Sequence, residues 1–227
     1  MKKEKAIILL SGGIDSCVTT AIANRNYRLC LLHINYKQRT AKREEKAFNE
    51  IAKYYNVTDK LSAIWRIEHF MKIGGSSLID RSLNVPNIPS IEIPNTYVPF
   101  RNANLLAIAV SWAEVINAKK IFIGAMEEDS SGYPDCRESF FNAYNKMIKF
   151  GTKPETDITI ETPILHKSKT AVVKIGYDLN APLHLTWSCY QNSKIACGVC
   201  ESCRLRIKAF KEAGFKDPIP YHISIKW

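Results

Sequence analysis

Ala6-Ile7-Ile8-Leu9-Leu10-Ser11-Gly12-Gly13-Ile14-Asp15-Ser16 sets the fold class of this chain. The apolar run Ala6 to Leu10, closed by a glycine-rich turn, is expected of a strand buried on both faces in a parallel sheet. From Ser16 to Asn26 the spacing becomes helical. A second strand is expected over Leu29 to Ile34, a charged helix over about Ala41 to Tyr55, and a third strand over Leu61 to Ile67. This is a βαβαβ run, so a ligand should lie beyond the carboxyl ends of the strands, where strand order reverses.

Beyond it, Gly74 to Pro99 carries Pro86, Pro89, Pro94 and Pro99 with no clean periodicity and reads as a long irregular excursion. Such loops in a compact domain are usually functional. Regularity returns with a helix over about Ala103 to Ile116, a strand at Ile121 to Gly124, a helix near Glu138 to Phe150, a strand over Ile158 to Thr162 and a helix opened by Ser168. The expected architecture is α/β, a doubly wound parallel sheet over residues 1–185, with residues 186–227 forming a cysteine module packed on the same unit.

Hydrophobic residues make up 46% of the 227 and charged residues 24%, the balance of a globular protein and not of a disordered or fibrous one. The sequence contains no apolar run long enough for a membrane span, and Met1-Lys2-Lys3-Glu4-Lys5 leads straight into the first strand, so a cytoplasmic protein without membrane or signal segment is expected. The formal charge of +10 suits nucleotide phosphates or another anionic ligand. Basic residues are spread along the chain, with modest excesses at Lys37 to Lys46 and Arg204 to Lys216, so no stable nucleic-acid partner is expected.

Ser11 to Ser16 joins a strand to a helix, where first-turn N–H groups and the helix dipole together make an anion site. Gly12 and Gly13 let the backbone approach an oxyanion closely. Ser11 and Ser16 can donate hydroxyl hydrogen bonds, and Asp15 can hold Mg²⁺ against phosphates. The cofactor-binding set is therefore Leu10, Ser11, Gly12, Gly13, Ile14, Asp15 and Ser16, with Gln38 and Arg39 at the end of the second strand as adenylate contacts. Ser-Gly-Gly-x-Asp-Ser in this position resembles the signature of the PP-loop ATP pyrophosphatases, and the chain has neither Gly-x-x-x-x-Gly-Lys-Ser/Thr nor Gly-x-Gly-x-x-Gly. Members of that group have an adenine nucleotide alpha hydrolase-like, Rossmann-like fold and split ATP between the α and β phosphates.

Of the seven cysteines, Cys189, Cys197, Cys200 and Cys203 are spaced C-x7-C-x2-C-x2-C. Four thiolates suit a closed, structural tetrahedral Zn²⁺ site. An iron–sulfur cluster is the competing occupant, and zinc is favoured.

The whole chain resembles the QueC family, the 7-cyano-7-deazaguanine synthases. The resemblance is carried by the phosphate loop, Tyr36-x-Gln38-Arg39, Gly74-Gly75-Ser76-Ser77-Leu78, Ile93-Pro94-Asn95-Thr96-Tyr97-Val98-Pro99-x-Arg101-Asn102, Ser131-Gly132-Tyr133-Pro134-Asp135-Cys136-Arg137, Thr162-Pro163, Thr186-Trp187-Ser188-Cys189-Tyr190 and the cysteine tail. It implies a ligase that forms a carbon–nitrogen bond, converting 7-carboxy-7-deazaguanine and ammonia to the nitrile with two ATP, as part of queuosine and archaeosine precursor synthesis.

Asp15, Ser16, Arg101 and Lys167 are then the expected catalytic residues, and Tyr97, Arg101, Asn102, Asp129, Tyr133, Asp135 and Arg137 the expected substrate-binding ones. A carboxylate can accept both adjacent donors of the deazaguanine Watson–Crick edge. Asp135 is the first choice for that reader and Asp129 the second. Arg101, Arg137 and Lys167 could pair with phosphate or the substrate carboxylate. Implied ligands are ATP, Mg²⁺ and Zn²⁺, and a homodimer is the expected assembly. The family pattern Tyr-Gly-Gln-Arg-His reads Tyr36-Lys37-Gln38-Arg39-Thr40 here. That departure admits a paralogue that stops at an amide by transferring the acid to a protein amine. A remoter alternative is a zinc-containing nucleic-acid-binding or tRNA-modifying PP-loop protein.

Overall fold

The computed structural model describes residues 3–85, 93–127 and 132–227. Its strands are β1 (Lys5–Leu9), β2 (Arg28–Asn35), β3 (Ser62–Arg66), β4 (Lys120–Ile123) and β5 (Thr159–Glu161). They form one parallel sheet in the order β3-β2-β1-β4-β5. The helices are α1 (Ile14–Asn24), α2 (Ala41–Tyr54), α3 (His69–Ile73), α4 (Arg101–Ile116), α5 (Glu138–Gly151), α6 (Lys169–Asp178) and α7 (Glu201–Ala213). No described helix is long and apolar enough to cross a membrane.

The opening strand is apolar on both faces because both are covered. Ile7 and Leu9 point into a core with Leu106, Ala109 and Ala113 of α4 and Phe141 of α5. Ala6, Ile8 and Leu10 point the other way, against Cys17 of α1 and Phe48 and Ile51 of α2. The doubly wound expectation holds, and the described parts of the excursion, 74–85 and 93–99, contain no helix or strand.

Two helices escape the sequence reading. The short α3 is too brief for a periodic signal, whereas α7 had a clear stop, Gly214 with φ 81° at its C-cap. Helix α7 contributes Ala209 and Phe210 to a core with Ile14 and Val18 of α1 and Val172 and Val173 of α6. The cysteine tail and the nucleotide loop thus share apolar packing.

Two features hold the loop in place. The first is Gly124, directly after β4, where an added Cβ would lie 2.8 Å from the Asp15 carbonyl carbon and 2.9 Å from the Ser16 nitrogen. The second is Arg206, 1% exposed. Its guanidinium donates to both Asp217 carboxylate oxygens at 2.6 and 2.9 Å and to Thr186 Oγ1 at 2.9 Å. From Thr186 the chain passes to Trp187, whose N–H donates to the Gly12 carbonyl at 2.9 Å.

Removing one partner of a buried ion pair leaves an uncompensated charge. Arg206→Met should therefore cost about 3–5 kcal/mol, roughly 6–20 °C of Tm at about 2–4 °C per kcal/mol for this chain length. The double variant Arg206→Met/Asp217→Leu should recover part of that in a thermal melt; a single variant melting within a degree of wild type would refute the assignment. Gly124→Ala forces backbone against backbone and should cost about 1–3 kcal/mol, read in the same melt, whereas Gly151→Ala, with nothing near its Cβ position, should be tolerated.

Candidate active site

A cavity of about 330 Å³ opens over the carboxyl ends of β1, β2 and β4. It straddles β1 and β4, where strand order reverses. Leu10, Ser11, Gly13, Ile14, Asp15 and Ser16 line one wall, and Gly12 does not. Gly12 has φ 93°, and a Cβ there would meet Ala47 Cβ and the Glu44 carbonyl oxygen at 2.9 Å. It seats the turn on α2, while Gly13 faces the ligand space.

Ser11 Oγ and Ser16 Oγ are 3.0 Å apart, Ser16 Oγ donates to the Gly13 carbonyl at 3.1 Å, and Ser11 Oγ accepts from Gly13 N at 3.3 Å. The hydroxyls are thereby fixed at the mouth of the α1 N-terminus, whose first-turn amides have no partner within the helix. Asp15 Oδ2 accepts from Lys169 Nζ at 2.5 Å. Asp15 Oδ1 is buried without a hydrogen bond among the described residues. Lys169 follows Ser168, whose Oγ caps α6 by accepting from Ala171 N. That cap sets the register of the helix, so Lys169 lines the cavity and Lys167 stands exposed outside it. Locating Ser168 as the cap contained the signal for Lys169; sequence reasoning chose the neighbouring lysine.

Gln38 and Arg39 line the cavity, but the Gln38 amide and the Arg39 Nε and Nη2 are bonded to the protein. Gln38 Oε1 accepts from Tyr36 N at 3.0 Å and its Nε2 donates to Glu44 at 2.6 Å. Arg39 donates to the Ser77, Asp80 and Leu83 carbonyls, tying the excursion to the end of β2. Lys37 has φ 62°, so the left-handed turn that glycine adopts freely persists with lysine. Thr40 Oγ1 donates to Glu44 at 2.7 Å.

The remaining expected substrate residues separate into two groups. Arg101, Asn102 and Tyr133 line the cavity, and Arg101 Nη1 donates to Tyr36 Oη at 3.3 Å. Tyr97, Asp135 and Arg137 do not line it. Asp135, 2% exposed, accepts from Asn102 N through Oδ2 at 2.8 Å, and its carbonyl accepts from Asn102 Nδ2 at 2.9 Å. It acts as a cap for α4, behind the wall, in place of the base contact expected of it. Tyr97 Oη accepts from Phe100 N and its ring packs on Tyr133 at 5.3 Å, while Arg137 is exposed at the start of α5. Asp129 lies outside the described residues. Lining residues that sequence reasoning missed include Tyr36, Glu44, Trp187, Tyr190 and Glu201. Burial raises the Glu201 carboxyl above its ordinary value.

The Cys189, Cys197, Cys200 and Cys203 sulfurs are buried and all lie within 4.8 Å of one another. Tetrahedral bonds of about 2.3 Å place thiolates about 3.8 Å apart, and the Cys197 and Cys203 sulfurs are 3.8 Å apart. Backbone N–H groups of Asn192 and Cys197 point at Cys189 Sγ, and that of Cys200 at Cys197 Sγ. Hydrogen bonds from the Cys200 and Cys203 thiols hold Cys189 well below the usual thiol range, and the bond to Cys189 pushes Cys200 up. These protons are the ones a metal would displace.

A family model described as "Queuosine biosynthesis protein QueC" matches residues 5–214. Among curated proteins, the chain is 54% identical to a 7-cyano-7-deazaguanine synthase of Chloroherpeton thalassium, covering 96% of this chain and 97% of that one. It is 51% identical to the synthase of Acidobacterium capsulatum over 97% of both. Among solved structures it is similar to the U34-tRNA thiolase NcsA from Methanococcus maripaludis with its [4Fe-4S] cluster, with TM-score 0.53 and 16% identity. That similarity covers 93% of this chain and 65% of the thiolase, and it carries the fold alone. With the phosphate loop, the reversal-point cavity and the four-cysteine tail in one molecule, the chain belongs to the QueC family.

Proposed function

We propose that this chain activates 7-carboxy-7-deazaguanine with ATP and carries it, with ammonia, to 7-cyano-7-deazaguanine. One observation carries the reading: the α1 phosphate loop opens into the same cavity as Arg101, Tyr133 and Glu201, so a nucleotide and a second, planar substrate can meet there. The identity of about half the residues to curated synthases over nearly the full length supports the substrate.

A carboxylate resists attack by an amine because its oxygen is a poor leaving group. In the proposed reaction that oxygen attacks the α phosphorus of ATP and pyrophosphate departs. Ammonia then adds to the acyl adenylate and AMP leaves, giving the amide. A second ATP adenylates the amide oxygen, and loss of the nitrogen protons with AMP leaves the nitrile. The first-turn amides of α1 and the Ser11 and Ser16 hydroxyls hold the departing pyrophosphate. Lys169 neutralises charge on the nucleotide beside Asp15. Mg²⁺, when bound with ATP, offsets the phosphate charge, and the buried, unbonded Asp15 Oδ1 fits an acceptor for it. Arg101 lines the cavity, makes no ion pair among the described residues, and is the cation proposed to hold the substrate carboxylate. Asp135 and Asn102 position it by fixing the first turn of α4.

For the cysteine cluster the proposed occupant is Zn²⁺, a structural ion that cross-links the tail. The four sulfurs are close enough to share a single ion, whereas a four-iron cube would spread them around its corners. The proposed assembly is the homodimer expected from the sequence. No observation favours a protein acceptor, because Lys37 keeps the left-handed turn and Thr40 is bonded within the wall.

Incubation with ATP, Mg²⁺, ammonium and the acid should yield nitrile with two AMP and two pyrophosphate per product. ADP as the main nucleotide product, or amide with one AMP, would refute the proposal. Asp15→Asn and Lys169→Ala should each lower kcat/KM by about 10²–10³-fold, the usual loss when one group stabilising developing charge is removed. Lys167→Ala should stay near wild type. Elemental analysis should find one zinc per chain without acid-labile sulfide. Stripping it should loosen the tail in hydrogen exchange, with Trp187 among the affected residues; iron with sulfide would overturn the zinc assignment.

A further inference from the structure

The cavity exposes three carboxylates to a ligand, those of Asp15, Glu44 and Glu201. Two are committed. Asp15 binds Lys169, and both oxygens of Glu44 accept, one from Thr40 Oγ1 and the other from Gln38 Nε2. Glu201 is different. It is 8% exposed, lines the cavity, and its side chain makes no hydrogen bond or ion pair among the described residues. A carboxylate that lines a ligand cavity with no protein partner has its oxygens open to donors from a ligand. Tyr133 and Tyr190 line the same cavity, and with Tyr36 they give it aromatic walls suited to a planar base.

We infer that Glu201 is the specificity-determining residue that reads the substrate's Watson–Crick edge, its two oxygens accepting from N1–H and the exocyclic 2-amino group. This rests on the proposed function. The substrate has donors at one end and a carboxylate at the other, and the cavity offers Glu201 for the first and the Arg101 guanidinium for the second. Asp135 cannot take this role from behind the wall, with Oδ2 held by Asn102 N. The placement of Glu201 also couples base recognition to the metal module, because Glu201 directly follows Cys200, the N-cap of α7.

The test compares AMP release with three acids by wild type and Glu201→Gln, with metal content measured for both. The acids are 7-carboxy-7-deazaguanine, its analogue lacking the 2-amino group, and the 7-deazaadenine analogue, whose edge presents one donor and one acceptor. Wild type should prefer the guanine-type acid over the 2-deamino analogue by about 10–100-fold in kcat/KM, as expected for a hydrogen bond to a charged group. Glu201→Gln should raise KM more than it lowers kcat, flatten that preference, and gain relative activity on the adenine-type acid, whose edge an amide can match. A merely structural role would lower all three rates together. Wild-type indifference to the 2-amino group overturns the inference whatever the variant does, and so does a metal-replete Glu201→Gln that keeps the wild-type preference. No AMP from wild type with the guanine-type acid would instead defeat the functional reading itself.

Discussion

The buried Arg206–Asp217 pair is the constraint on which the site depends. A guanidinium 1% exposed is tolerable only with its donors met, and here two bonds go to Asp217 and one each to Thr186 Oγ1, Ser188 Oγ and the Leu183 carbonyl. Asp217 in turn accepts from Ile219 N and Tyr221 Oη. Four separate segments thus converge on one ion pair: α7, the residues after it, the Thr186–Ser188 strap and, through Trp187 N, the carbonyl of Gly12. A hydrophobic pair of the same volume could match the stability, but it would not fix the angle of the strap. The positioning comes from the hydrogen-bond geometry.

What was legible in the sequence follows from how local each signal is. The apolar run and Ser-Gly-Gly-x-Asp-Ser are contiguous, so strand, turn and anion site could be read together, and the cysteine spacing announced its ligand set. Roles that depend on which way a side chain faces were not legible. Arg39 reads as an adenylate contact by its place at the end of the second strand, yet three backbone carbonyls of the 77–83 segment take its Nε and Nη2 donors. Lys167 and Lys169 are indistinguishable by composition, and only the Ser168 cap decides which enters the cavity. Asp135 belongs to a promising motif, but the open amide of α4 lies nearer to it than the ligand space does.

The same reasoning bears on the departures from the family pattern. Glycine is favoured where φ is positive because it lacks a Cβ, so a lysine there either changes the turn or bears the strain. Here the turn is kept at φ 62°, Lys37 N donates to Asn35 Oδ1 at 2.8 Å, and Lys37 Nζ meets Glu68 at 2.7 Å. That exposed pair is worth little by itself; the backbone hydrogen bond inside the turn is the stronger hold. Thr40 cannot supply an imidazole, but its hydroxyl helps to satisfy Glu44. Position 40 of the wall therefore carries no titratable group, and its hydroxyl is bonded within the wall.

The cysteine cluster extends this logic to the far side of the cavity. Cys189 ends the strap that contacts Gly12, and Cys200 begins the helix that carries Glu201 and Arg206. Among the described residues, cavity-wall residues Trp187, Ser188, Tyr190, Glu201 and Ser202 all lie within two positions of a cluster cysteine. The tail's own apolar cluster is small, built on the four cysteines with Trp187, Ala196 and Ile219, and regions with little buried apolar surface open locally at low free energy. One ion drawing on four thiolates would raise that local threshold without adding bulk to the cavity. The metal would then act on the chemistry by holding the wall still, with no coordination position left open to take part in the reaction itself.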